Sequence, residues 1–442
     1  STMARERSCR GVLRRSFIGS GRAIREWYAS NCSRHTFGMT IDTVVGPPAR
    51  FRAAEERGAK IGRILKAVGR VRVVDEQQMT LIGERFMEKD ELGAELARAM
   101  RSRGADKVTM AQFHQALAHG VESVKDAPPA LRSFFGVVDV VPDWVDFDLV
   151  NEGARAYRRF GKSAADVLLQ LSLLGGYRFG GPTDLLVATG GLTGDTTRRR
   201  LGETQKWGVA VSEHDAMRRG GEGFQLTVHV RLMHALVNHR FEGGGRWDSA
   251  TWGLPINQSD QAATLGLFNG ALLIGARSLG VRVTPEDSRA VMHLWKYVGW
   301  LIGVNDDWLF DTEREQHAFN YHVLLAQGHV TEAGPQLANG ILDAQGTLHF
   351  KRFTAIRRAY TRARLLSMLR MFLATPYYCG PGVYELLCAN RRVVRVALAR
   401  DELGGKSYKI VSRSSGMVLA SQNGSTADGA AVVQAVDDGS PG

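Results

Sequence analysis

His234 is the residue best placed to do chemistry. In the run Val228-His229-Val230-Arg231-Leu232-Met233-His234-Ala235-Leu236-Val237 it follows Val230 by four residues and precedes Val237 by three. At helical spacing it shares a face with Leu226, Val230, Met233 and Val237, the apolar side, while His229 and His239 fall elsewhere. A neutral imidazole in that setting has two readings. It is a core histidine hydrogen-bonded to a carbonyl, or it binds a haem iron through one ring nitrogen while apolar walls bury the porphyrin. Arg231, one turn earlier, is expected on the inner half of the helix. A buried guanidinium there needs an anion, which could be a propionate or a partner carboxylate, unless its stem snorkels to solvent. On the preceding helix Arg200 and Thr204 stand one turn apart. They could bring a charge and a hydroxyl to the same pocket, or lie on a solvated face beside Arg198 and Arg199.

Other candidate motifs do not hold. Gly220-Gly221-Glu222-Gly223 is glycine-rich but follows no strand, so it is no dinucleotide loop. Asn305-Asp306-Asp307 has the look of a carboxylate pair and reads as a turn after a helix. There is no nucleophile elbow, Walker loop or HExxH. Cys9, Cys32, Cys379 and Cys388 form no CxxC pair and no zinc-ligand spacing, so free thiols are expected rather than a disulfide scaffold.

The elements that must position these residues are helical. Residues 51–103 are rich in Ala, Leu, Glu, Arg and Lys. Within 148–174, Val150, Ala154, Tyr157, Phe160, Ala164, Val167, Leu168 and Leu171 recur at spacings of three and four, and Gly175-Gly176 closes the helix. Helices are predicted over 196–213 and 223–239, joined by a turn region, with Gly243-Gly244-Gly245 after the second. Pro255-Ile256-Asn257-Gln258-Ser259-Asp260 reads as an N-cap before one apolar helix reaching 279. Thr284-Pro285-Glu286-Asp287 opens the next helix, which ends near Gly303. A basic amphipathic helix is expected over 355–373. Strand-like alternation is nearly absent before residue 405, so the main domain is expected to be all-α. Beyond Gly404-Gly405, short alternating runs with Ser and Gly turns indicate a small β fragment.

The chain has 442 residues and a net charge of +12, unevenly spread. Residues 1–72 carry 16 Lys and Arg against 5 Asp and Glu, and the remainder 41 against 40. The excess belongs to one arm rather than a folded face, which argues against nucleic-acid binding. No window holds the roughly 20 apolar residues of a membrane helix. Leu13-Arg14-Arg15-Ser16-Phe17 has the outline of a twin-arginine signal, but residues 18–35 are polar and supply no apolar core. A cytoplasmic location is therefore expected, with secretion as the alternative. Residues 1–38 read as a disordered basic arm, ended by Pro47-Pro48, with Met39 as a natural start.

Several strings in order resemble one family, the latex clearing proteins (rubber oxygenases) and MpaB-type oxygenases, over roughly residues 130–400. Val141-Pro142-Asp143-Trp144-Val145-Asp146 is similar to the family's PxWxD approach to the first core helix. Arg200-Leu201-Gly202-Glu203-Thr204 resembles its RxxxT helix, and Val230-Arg231-Leu232-Met233-His234-Ala235 its ligand helix. Pro255 to Ala262 resembles its PISQAD-type cap. The runs Gly280-Val281-Arg282-Val283, His293-Leu294-Trp295 and Leu301-Ile302-Gly303-Val304 continue the family's order. The resemblance implies a globin-like helical haem domain. It implies haem b with its iron on His234, and Arg231, Arg200 and Thr204 around the porphyrin. A pocket glutamate acting as base would fall near Asp184. Glu203 occupies the position at which rubber oxygenases carry a lysine able to cap the iron, so that distal ligand is missing here. The tail, from Tyr408 through Asp428-Gly429 to Gln434, resembles the first repeat of a ricin-type β-trefoil lectin. It stops before that repeat's usual tryptophan, and one repeat cannot bury a trefoil core.

The expected organisation is a basic arm over 1–38, a haem-binding oxygenase domain over 39–403 and a partial lectin repeat over 406–442. The expected activity is oxidative cleavage or oxygenation of an apolar, isoprenoid-type substrate with O2. Carbohydrate would be a partner only of a complete lectin module. Two alternatives stand beside it: a peroxidase-like haem oxidoreductase acting on a small secondary metabolite, and a non-catalytic helical module attached to a lectin.

Overall fold

The computed structural model describes residues 46–190, 196–242 and 245–346, with the short stretches 354–356, 418–421 and 432–435. The chain divides into two units, Ser1–Val45 and Gly46–Gly442. The first, which includes the expected basic arm, lies outside the described residues, as do the boundary at 404–405 and the expected helix over 355–373 except for its first residues. In the second unit the expectation of an all-α domain holds: no strand occurs in the described residues before 347.

Four helices open it, α1 (Glu55–Ile61), α2 (Arg63–Val68), α3 (Glu76–Glu84) and α4 (Glu91–Arg101). Then come α5 (Met110–His119) and α6 (Pro129–Val138). The long α7 (Phe147–Val167) starts where the sequence places it, because Asp146 Oδ1 accepts the amides of Asp148 (2.9 Å) and Leu149 (3.2 Å). It runs into a π-helical segment, Leu168–Leu174. That segment serves two apolar clusters at once. Leu168 and Leu171 pack on the main core, whereas Leu169, Leu173 and Leu174 join a small second cluster with Tyr177, Leu337 and Ile341.

Next are α8 (Pro182–Ala188), α9 (Thr196–Val211), α10 (Glu222–Glu242) and the short α11 (Ser249–Trp252). The cap at Asn257 forms as expected, its Oδ1 accepting the amide of Asp260 at 2.9 Å. The single helix predicted behind it is instead two, α12 (Gln258–Phe268) and α13 (Gly270–Ser278). Asn269 makes the break, at φ −109° and ψ −88°. Its side chain accepts the Gly270 amide and donates to Gln316 Oε1 at 3.0 Å, which offers the backbone an alternative to helical pairing. The core helix α14 (Pro285–Ile302) carries a capping box between Thr284 and Asp287 and ends on Gly303 in the left-handed region (φ 91°). Two further helices, α15 (Glu313–Ala326) and α16 (Ala333–Gly346), close the described part. Asn305-Asp306-Asp307 leads into one 3-10 turn, as its reading as a turn requires. Near the C-terminus Val418–Ser421 and Val432–Ala435 pair antiparallel. This pair does not show a lectin repeat, and the rest of 406–442 lies outside the described residues. No helix among the described residues is long and apolar enough to cross a membrane.

Three polar fastenings fix the pitch of α10. Near its start Thr227 receives the indole N–H of Trp207 from α9 at 3.0 Å. In its middle Arg231 makes a two-point ion pair with Asp90, Nε and Nη2 each 2.7 Å from a carboxylate oxygen. Near its end Asn238 both donates to the Ile256 carbonyl (2.8 Å) and accepts the Ile256 amide (2.7 Å). Asp90 holds the N-cap position of α4 but makes no capping bond, since both oxygens face Arg231. Two glycines leave room for the pair. A Cβ on Gly303 would stand 2.8 Å from both Arg231 Nε and Asp90 Cγ, and one on Gly93 would stand 2.3 Å from Asp90 Oδ2.

The pair is almost wholly buried, so removing one partner strands a charge away from water. Asp90→Ala is expected to cost about 3–5 kcal/mol of stability, and adding Arg231→Met to recover most of that loss. Urea unfolding of the two variants checks it. An acid-sensitive tie holds α15. Glu313 accepts from Arg277 Nη1 (2.5 Å) and Ser288 Oγ (2.6 Å) and lies 3.2 Å from His317 Nε2. Burial opposes its ionisation, but these partners outweigh it and hold its pKa at about 2. Because the folded value is below the unfolded one, the stabilisation is full above about pH 4.5 and is lost as pH falls toward 2. Glu313→Gln is expected to remove about 3 kcal/mol of that pH dependence, read from unfolding midpoints across this window.

Candidate functional site

The three fastenings lie on the buried face of α10, with Phe224, Val228, Leu232, Ala235 and Phe241. The face that the sequence assigns to the interior, with His234 on it, is therefore not the deepest. Leu226, Val230 and Val237 are half-buried, and Met233 is 41% exposed. Among the described residues none of these four packs on either apolar cluster. They form a partly open apolar stripe along the flank of the helix.

His234 sits in this stripe. The residue is half-buried overall, yet Nδ1 is sealed from solvent and has no hydrogen-bond partner among the described residues. A core histidine of the ordinary kind would have spent that atom on a carbonyl. Desolvation pushes the pKa of His234 down to about 4, against a weaker opposing pull from Asp90, so the ring is neutral at physiological pH.

Arg231 lies one turn away, on the buried face as expected. Its anion is Asp90, with a further contact from Nη1 to the Leu301 carbonyl at 3.4 Å. The carboxylate reading of Arg231 is thus the one the structure shows. Asp90 is distant in sequence and carries no local signal, which is why sequence reasoning missed it. Trp207 and Asn238 were missed for the same reason: each acts across helices.

Helix α9 presents Arg200, Glu203 and Thr204 to solvent. Stepping back from Trp207 along α9, and forward from Thr227 along α10, both paths lead away from the connecting loop. They reach Thr204, Glu203 and Arg200 on one helix, Val230 and His234 on the other. Glu203 accepts from Arg199 Nε at 2.8 Å and from Arg200 Nη1 at 3.4 Å. The bond from Arg199 above all keeps its carboxyl below the usual carboxylate range. Lys206 pairs with Glu222 instead, at 3.4 Å. The structure thus gives α9 a solvated face bearing one loosely held guanidinium and one exposed hydroxyl.

Asp184 has another employment than that of a free base. Its Oδ2 accepts the Gly181 amide (2.9 Å), the Thr331 hydroxyl (3.0 Å) and the Thr183 hydroxyl (3.3 Å). It caps α8 and ties that helix to the segment before α16.

Among the described residues no group of three or more His, Cys, Asp or Glu side chains is assembled to hold a metal. A haem iron needs only a single protein ligand. The residues present fit such a group: a neutral imidazole with a sealed, unspent nitrogen, flanked by apolar side chains that no cluster covers.

Comparisons with known proteins place this fold among oxygenases. The family described as ER-bound oxygenase mpaB/B'/Rubber oxygenase, catalytic domain, matches residues 160–387, just over half of the chain. Rubber oxygenase from Streptomyces sp. (strain K30) is 25% identical over 201 residues, 45% of this chain and 48% of that protein. The chain thus spans about half the length of this curated relative. The solved structure of latex clearing protein LCP in the closed state shares the fold, with a TM-score of 0.57 at 21% identity, over 70% of this chain and 82% of that one. These matches carry the oxygenase resemblance and lend no support to the lectin repeat expected at the C-terminus. The matched span includes Asp184, Arg200, Glu203, Thr204, Arg231 and His234, and the chain belongs to the MpaB and rubber oxygenase catalytic domain family.

Proposed function

We propose that this chain is a haem-b-dependent oxygenase acting with O2 on an apolar, isoprenoid-type substrate, with His234 as the iron ligand. The observation that supports it most is the sealed, unpartnered Nδ1 of His234 in an apolar stripe that neither cluster covers. Bound there, the haem supplies the redox chemistry for oxidative attack on a C=C bond.

The remaining work falls to the chain's own residues. Desolvation keeps the lone pair of His234 free of a proton down to about pH 4. The Arg231–Asp90 pair fixes the rotation of α10 and so the direction of that imidazole. Arg200 is exposed and held only at 3.4 Å by Glu203, so its guanidinium is available to meet a propionate. The Thr204 hydroxyl, one turn on, is available as a hydrogen-bonding group. With a porphyrin against them, Leu226, Val230, Met233 and Val237 would exclude water from the flank. Glu203 stands where rubber oxygenases carry lysine, and its carboxylate is already engaged by Arg199. This chain therefore offers no amine at that position.

Protein produced with a haem supply is expected to show a Soret band. His234→Ala is expected to lose it while keeping the helical circular dichroism of the parent. Full haem occupancy in that variant would refute the ligand assignment. O2 uptake by haem-loaded protein with polyisoprene and, separately, with small terpenoids reads the substrate class. Uptake with neither would overturn the apolar-substrate reading.

A further inference from the structure

Arginine side chains taken out of water in this fold are matched to carboxylates. Eight described arginines are buried or half-buried. Six hold a carboxylate: Arg50 with Asp260, Arg52 with Glu55, Arg85 with Asp307, Arg159 with Asp287, Arg219 with Asp139 and Arg231 with Asp90. The two exceptions, Arg57 and Arg178, are neighbours in space although 121 residues apart in the chain. Arg57 Nη2 donates to the Arg178 carbonyl at 2.9 Å, and its guanidinium lies 5.5 Å from the centre of the Phe179 ring. The Arg178 guanidinium has no ion pair or hydrogen bond among the described residues. Burial lowers the pKa of both side chains, and the charge of Arg57 adds to the shift at Arg178.

Two half-buried like charges without a counterion are unfavourable in a folded chain. The other six arginines show that the fold supplies carboxylates where it buries guanidinium groups. We propose that Arg57 and Arg178 form a half-buried oxyanion-binding site that takes a phosphate-type group. The chemistry is that of paired planar guanidinium donors, which match the oxygens of a phosphate or diphosphate with several charge-assisted hydrogen bonds. The Phe179 ring, 5.5 Å from the Arg57 guanidinium, supports it by cation–π attraction. The backbone carbonyl of Arg178 takes one of its donors and leaves the others for a ligand. The site lies between α1 and the turn after the π-helical segment. It does not depend on the haem reading of His234.

The test uses the full chain. Calorimetric titration with inorganic pyrophosphate, at ionic strength matched with sodium chloride, is expected to show saturable binding. Arg178→Gln is the primary variant because that side chain makes no hydrogen bond or ion pair among the described residues. Arg57→Gln is the second. Each is expected to weaken binding about tenfold or more. Flotation with phosphatidylcholine vesicles containing phosphatidic acid distinguishes the source. Pyrophosphate binding alone assigns a soluble ligand, and vesicle binding lost in both variants assigns a lipid headgroup. In anion-poor buffer Arg178→Gln is also expected to raise the urea midpoint, because it relieves a repulsion. No saturable binding to either probe, equal binding by parent and variants, or a lower midpoint for Arg178→Gln would overturn the proposal.

Discussion

The buried pair between Arg231 and Asp90 is the constraint on which the site depends. Helix α10 carries few features that would stop it rotating about its own axis. Its apolar residues lie on more than one side, so hydrophobic contact alone specifies its rotation weakly. A two-point ion pair, with both partners almost wholly out of water, has one acceptable geometry. Thr227 and Asn238 repeat the constraint nearer either end. With that face fixed inward, the stripe containing His234 can only be a flank.

This separation of duties accounts for the mixed character of the helix. On the buried face Thr227, Arg231 and Asn238 spend their polar atoms on protein partners. The flank keeps the Nδ1 of His234 unspent, and its apolar side chains uncovered by either cluster. A fold that leaves a sealed polar atom and open apolar surface side by side has forgone stability at that place. Such places are where function is found. The same logic singles out Arg57 and Arg178, where the usual matching of guanidinium to carboxylate lapses.

What the sequence made legible follows interaction range. The helix starts at Asn257 and Thr284 were readable because cap donor and acceptor lie within three residues of each other. The end of α14 at Gly303 was readable for the same reason. The break at Asn269 was not, because it depends partly on Gln316, in another helix. The helical period placed His234 with Leu226, Val230, Met233 and Val237 correctly, but not which face meets the core. That choice is made by Asp90, Trp207 and Ile256, none of which the period can show. The sequence left Arg200 and Thr204 between a pocket and a solvated face beside Arg198 and Arg199, and both are exposed. The family resemblance supplied the haem reading, and the unspent nitrogen of His234 is the structure's own support for it.

Gly303 and Gly93 carry a consequence that reaches beyond this one chain. Both lie against the Arg231–Asp90 pair with no space for a methyl group, and they belong to different helices from Arg231. Four positions, 90, 93, 231 and 303, are thereby bound into one unit of inheritance. A lineage that enlarges either glycine must shorten or redirect one of the charged side chains, and a lineage that loses one charge has reason to lose the other. The glycines are silent in any account of the chemistry. They nevertheless set which substitutions the helix of His234 can survive, and in what order they can be acquired.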